Sequence, residues 1–271
     1  MAHRNKSIAK HASKFAATLH AIYLTQAEIA RAALDYPVVF ARDNDGDIVP
    51  IALVGVEPNK NLLCDSNGRW SGGYYVPAYV RRYPFFLARA KVSGDEVARR
   101  EDRVAHEPEN GPRETQGKSP GKAQEKELES RSLICVDETA LVSNGKVLID
   151  NRGETTSEWS ALEKLIQQLD INQHSTAGFC ARLETLGLFE KFDADFHPKL
   201  IDNASAEKLP APARINGLLR VNRKSLQGLA DKELLTLIRD QSITTIEAHL
   251  NSLHRFDRLL NLYAASASKM P

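Results

Sequence analysis

Between Gly94 and Arg131 the sequence alternates acidic and basic residues, carries Pro108, Pro112, Pro120, Gly111, Gly117 and Gly121, and offers almost no large apolar side chain. Such a stretch cannot bury enough area to offset the entropy of ordering it. The core must therefore come from the residues on either side, and 94–131 reads as a flexible polar insertion. Strand signals resume directly behind it, in Leu133 to Val136 and, across an Asn144-Gly145 turn, in Lys146 to Ile149. The insertion is thus expected to interrupt a sheet rather than to end a domain. At 271 residues, the chain suits one domain or two associated lobes.

Ahead of the insertion the period is mostly that of strands. Thr25 and Glu28 form a capping box for a helix from Gln26 to Leu34, with Leu24 placed to staple onto Ile29, and Tyr36-Pro37 ends it. Val38 to Phe40 and Ile48 to Val56 then form a hairpin about Asp45-Gly46, and Asn61 to Asp65 reads as a third strand closed by Ser66-Asn67-Gly68. Behind the insertion helices dominate. Thr155 and Glu158 open one helix, with Trp159, Leu162, Leu165, Ile166 and Leu169 as its apolar stripe, and a second runs from Ser175 to Leu186 before Gly187. Ile215 to Val221 reads as a strand and Asp231 caps a short helix. Thr244 and Glu247 open the last helix, striped by Ile246, Leu250, Leu253, Phe256 and Leu260 and ending at Tyr263. The expected class is α+β, with a mainly antiparallel sheet in the first half and a helical second half.

Charge and cysteine content narrow the function. Lys+Arg 36 against Asp+Glu 35 gives a net charge of +1, which argues against a dedicated nucleic-acid binder. No segment has the apolar length of a transmembrane helix. Cys64, Cys135 and Cys180 are far apart and follow neither a disulfide nor a zinc pattern, so they read as free thiols. The basic stretch His3 to Lys14 before Phe15 to Leu24 imitates a signal peptide, but Thr18 and His20 interrupt it and no small-residue cleavage site follows. A cytoplasmic chain is expected, with export to the cell surface without a clear signal peptide left open. The Gly-x-Gly-x-x-Gly and Walker-type phosphate loops and the His-Glu-x-x-His zinc motif are missing.

The densest unusual segment is Trp70 to Phe86, which holds seven of the eighteen aromatic residues. Trp70, Tyr74, Tyr75, Tyr79 and Tyr83 offer flat faces with polar tips. Arg81 and Arg82 offer planar forks for carboxylate or phosphate, and Gly72-Gly73 lets a backbone come close. These residues are the ligand-binding candidates. The competing reading is a strand and turn that feeds aromatics into a core, with the arginines solvated or paired. His249 is a further candidate, beside the apolar stripe of the last helix, and a satisfied structural histidine is the alternative there. Asp193, Asp195 and His197 alternate as one side of a strand could, but too few ligands are identified to predict a metal, and no cofactor is expected.

One set of runs resembles the bacterial SapC family. It comprises Tyr36-Pro37-Val38-Val39-Phe40, Pro50 to Gly55, Asn61-Leu62-Leu63 with Gly68-Arg69-Trp70, and above all Tyr75 to Phe85. Cys135 to Glu138, Asn216-Gly217-Leu218 leading to Leu226, and Ala248 to Leu253 follow in the family's order. The family is named for a protein associated with a bacterial surface layer. The resemblance therefore implies a non-enzymatic accessory or binding protein linked to the surface layer or envelope. Its partner would be an envelope or surface-layer protein or a small anionic or sugar-like ligand. The family supplies no catalytic residues, and the long polar insertion departs from its shorter connection. The alternative is an enzyme of unrecognised type, with His249 or His197 as acid or base and Arg81 or Arg82 orienting an anionic substrate.

Overall fold

A computed structural model describes residues 7–8, 14–91, 130–142, 146–150, 152–196 and 213–267. Nearly all of the polar insertion, the Asn144-Gly145 turn, His197 and most of the basic amino-terminal stretch lie outside the described residues.

The strands are β1 (Ser7–Ile8), β2 (Ala21–Tyr23), β3 (Val38–Arg42), β4 (Ile48–Leu53), β5 (Phe85–Lys91), β6 (Ser130–Val136), β7 (Leu141–Val142), β8 (Lys146–Val147), β9 (Phe189–Phe196) and β10 (Ala213–Val221). The helices are α1 (Gln26–Ala32), α2 (Ala78–Arg81), α3 (Ser157–Thr185), α4 (Arg223–Gln227), α5 (Asp231–Arg239), α6 (Ser242–Ser252) and α7 (Phe256–Ala267). The class is α+β, as the sequence indicates. Among the described residues no helix is long and apolar enough to cross a membrane.

The chain divides into two compact units, one of residues 85–136 and one of 1–84 with 137–271. In the smaller unit β5 and β6 pair antiparallel from Phe85 opposite Val136 to Lys91 opposite Ser130, so the insertion falls between two hydrogen-bonded strands. This ladder is separate from the main sheet.

The larger unit is built on a five-stranded antiparallel sheet in the order β2-β4-β3-β10-β9. Strands from both ends of the chain therefore share one sheet. Helix α1 packs against α3 and α6, α3 against β4, and α6 against β3 and β10. Val38, Phe40, Ile29, Phe179, Leu183 and Ile246 are buried in the common core. Cys180 lies there too, its thiol pushed up to about 12 by burial, which keeps it protonated.

Three tight turns share one chemistry. In Asp43–Asp47, Asp65–Arg69 and Asp150–Glu154 the first aspartate's Oδ1 accepts the N–H groups two and four residues on, at 2.8 to 3.0 Å. The fourth residue is a glycine with φ of +89°, +80° and +89° respectively, a conformation that costs other residues a steric clash. The three turns join Arg42 to Ile48, Cys64 to Trp70 and Ile149 to Thr155.

Six expectations change. Asp231 is the first residue of α5, with Ala230 at the N-cap, and α6 begins at Ser242 rather than at Thr244. Asn61 to Asp65 is not a strand but a loop with a single bridge from Cys64 to Trp70. The Asn61 amide donates to Ala16 O and accepts from Leu63 N–H, both at 2.8 Å, and this side chain takes backbone groups that a ladder would need. The helices expected on either side of Leu169 to Ser175 are one helix of 29 residues, because no glycine or proline interrupts that stretch. Its N-cap is Thr156, which accepts from Trp159 N–H, rather than Thr155. The last helix is broken at Leu253–Arg255 by a 3-10 turn, where the Ser252 hydroxyl donates to His249 O at 2.6 Å and competes for the helical carbonyl.

Candidate functional site

The aromatic segment is irregular backbone with α2 in its middle, and α1 holds it in place. The capping box puts Glu28 in the first turn of α1. One oxygen of its carboxylate accepts from the Thr25 N–H at 3.0 Å and the Thr25 hydroxyl at 2.9 Å. The other reaches across to the segment, accepting from the Tyr75 hydroxyl at 2.8 Å and the Ala78 N–H at 2.7 Å. Glu28 is buried, and these four donors meet the needs of an ionised carboxylate away from water. Further along, Asp35 accepts from Tyr75 N–H at 2.9 Å. The Tyr36 hydroxyl donates to Tyr75 O while accepting from Trp70 Nε1 at 3.2 Å. Burial, followed by the bond to Glu28, pushes the Tyr75 phenol up to about 12, and burial likewise raises Tyr36.

Trp70, Tyr74, Tyr75 and Tyr79 are half-buried and pack onto the core with one side. Tyr83 is also half-buried. Its ring lies 4.4 Å from that of Phe15, and its hydroxyl donates to Asp137 at 2.8 Å. Only Phe85 of the seven aromatics is fully buried, while Phe86 is 44% exposed. The rings thus serve the core and still leave area outside.

Arginines lie over these rings. Arg82 is 4.6 Å from the Tyr79 centroid, Arg81 5.7 Å and Arg31 5.5 Å from that of Tyr75, and Arg258 4.6 Å from that of Tyr74. Arg81 also donates to Val76 O at 3.0 Å and to the Tyr75 hydroxyl at 3.2 Å. Arg31 pairs with Asp35 at 3.0 Å. Among the described residues no carboxylate pairs with Arg81, Arg82 or Arg258. A guanidinium over a ring gains cation–π attraction and retains donors for a carboxylate or phosphate.

His249 is not part of this surface. The β3–β10 register pairs Phe40 with Leu219, and its continuation would set Val38 opposite Val221. The imidazole sits at that place instead, with Nδ1–H donating to Val38 O at 2.8 Å and Nε2 accepting from Val221 N–H at 3.1 Å. The Ser252 hydroxyl, one turn later, accepts from Val38 N–H at 2.9 Å. His249 and Ser252 together clip α6 to the end of the ladder. The ring is fully buried, edge-on to Phe40 at 4.9 Å, and burial depresses its pKa to about 4. With both nitrogens committed, it has no lone pair or proton to offer a substrate.

Of the sequence candidates, Trp70, Tyr74, Tyr75, Tyr79, Arg81 and Arg82 are brought together, with Tyr83 linked through the contact of Phe15 with Tyr79. Asp193 pairs with Arg214 at 2.9 Å, and among the described residues no group of three or more His, Cys, Asp or Glu is placed to hold a metal. Sequence reading missed Arg31 and Arg258, which carried only the signal of exposed helix arginines. It saw Glu28 as a cap but not as an anchor.

A protein-family model described as SapC matches residues 1–259. No curated protein and no solved structure matches the chain.

Proposed function

Since the chain belongs to the SapC family, we propose that it is a non-enzymatic binding or accessory protein linked to the bacterial envelope and its surface layer. It is made in the cytoplasm and holds its partner, or an anionic or sugar-like ligand, on the face formed by Trp70, Tyr74, Tyr75, Tyr79, Arg81 and Arg82. The observation that carries this reading is the set of arginines lying over half-buried tyrosines without a carboxylate of their own. Rings fixed to the core present apolar area at little entropic cost, and the guanidinium supplies directed charge, a combination enriched at recognition surfaces.

The test is co-sedimentation of the purified protein with envelopes from the native cells, beside fractionation of those cells. Retention on envelopes is expected, with at least a tenfold loss in Arg81→Ala/Arg82→Ala at unchanged melting temperature. A protein that ignores envelopes, or a double variant that sediments like the wild type, would overturn the reading.

A further inference from the structure

Arg81, Arg82 and Arg258 combine two features: each guanidinium lies over a tyrosine ring, and none pairs with a carboxylate among the described residues. Arg42, Arg182, Arg214, Arg220 and Arg223 each pair with a carboxylate, and Arg223 grips Glu247 through both terminal nitrogens at 3.1 and 2.9 Å. Three acids that touch the aromatic segment are already hydrogen-bonded. Glu28 is occupied by four donors, Asp35 by Arg31 and the Tyr75 N–H, and Asp137 by Tyr83 and Thr139. Arg82 and Arg258 keep guanidinium donors that no described group accepts, and Arg81 and Arg258 are exposed. Arg258 comes from α7, far along the chain from the aromatic segment, and its guanidinium lies over Tyr74, which stacks near Tyr36 with ring centres 6.2 Å apart.

We infer that this face binds an acidic segment of a protein partner, and that Arg258 holds one of that segment's carboxylates alongside those taken by Arg81 and Arg82. The inference rests on the binding role proposed above and names its ligand class. Charge complementarity supplies the sign, because the guanidiniums of Arg81, Arg82 and Arg258 pair with no carboxylate among the described residues. The side chains supply the class, since tryptophan, tyrosine and arginine dominate protein–protein hot spots. Forks drawn from both α2 and α7 suit a chain bearing carboxylates at intervals better than one small anion.

Fluorescence anisotropy of labelled hexaglutamate with the full chain at low salt tests this directly. Binding should weaken about tenfold in Arg258→Gln, as for loss of one charge-assisted hydrogen bond. Arg258→Lys, which keeps the charge but not the fork, should recover only part of it, and added salt should weaken all three proteins. Thermal melts of the variants should match the wild type. Equal affinity in wild type and Arg258→Gln would overturn the inference. So would tripolyphosphate or maltohexaose binding through Arg258 where hexaglutamate does not. If envelopes still retain the protein while hexaglutamate fails to bind, the envelope role stands and the acidic-segment inference falls; loss of both removes both.

Discussion

Replacing His249 with glutamine removes a titrating group from the end of the β3–β10 ladder while leaving a carbonyl and an N–H to stand in for Nε2 and Nδ1–H. Imperfect geometry toward Val38 O and Val221 N–H, and loss of the edge contact with Phe40, should cost about 1.5 kcal/mol at pH 7. Acid changes the sign of the comparison. The folded pKa of about 4 lies below the ordinary 6.5, because burial, and to a smaller degree Arg220, opposes the imidazolium. The unfolded chain therefore binds the proton more tightly. This contribution is present above pH 6.5 and is lost as pH falls toward 4, by roughly 2 kcal/mol at pH 5 and 3 kcal/mol at pH 4. Glutamine does not titrate. The deficit of His249→Gln should close near pH 5 and reverse near pH 4. Urea unfolding of both proteins at pH 7, 5 and 4, followed by circular dichroism, measures the difference, in which the other titrating groups cancel. A gap that stays constant across this range would refute the assignment of a neutral, doubly bonded imidazole.

Glu28→Gln puts an amide N–H₂ against donors that now meet a carboxylate, and should cost about 3 kcal/mol while speeding hydrogen exchange at the Ala78 amide; unchanged exchange there would mean that Glu28 does not anchor the segment. Gly55→Ala would bring a Cβ within 1.9 Å of Lys60 O, a backbone atom, and should destabilise by about 3 kcal/mol in thermal or urea unfolding. Gly178→Ala, in α3 with nothing within 4 Å of the added carbon, should instead stabilise by about 1 kcal/mol, so similar losses at both sites would count against the packing argument.

Several features were legible in the sequence because their causes are local. The Thr25–Glu28 box, the glycine of the Asp43–Asp47 turn and the Gly187 stop each act within a few residues through φ or capping. The α+β class follows from periodicity of the same kind, and the aromatic segment was conspicuous in composition. Even local signals misled where side chains compete for backbone groups, as at Asn61 and Ser252.

Tertiary structure alone decided which distant pieces meet. Nothing near Val38 announces that β3 will pair with β10, or that a histidine 211 residues away will take its carbonyl. Sequence chemistry left His249 open as an acid, base or ligand, and complete burial between two backbone groups made it a structural clip. Exposed arginines on α1 and α7 look alike in sequence to any solvated helix face. Packing of the sheet and helices places Arg31 and Arg258 over Tyr75 and Tyr74, because burial of apolar area is non-directional and leaves no mark on the polar residues that it carries into register.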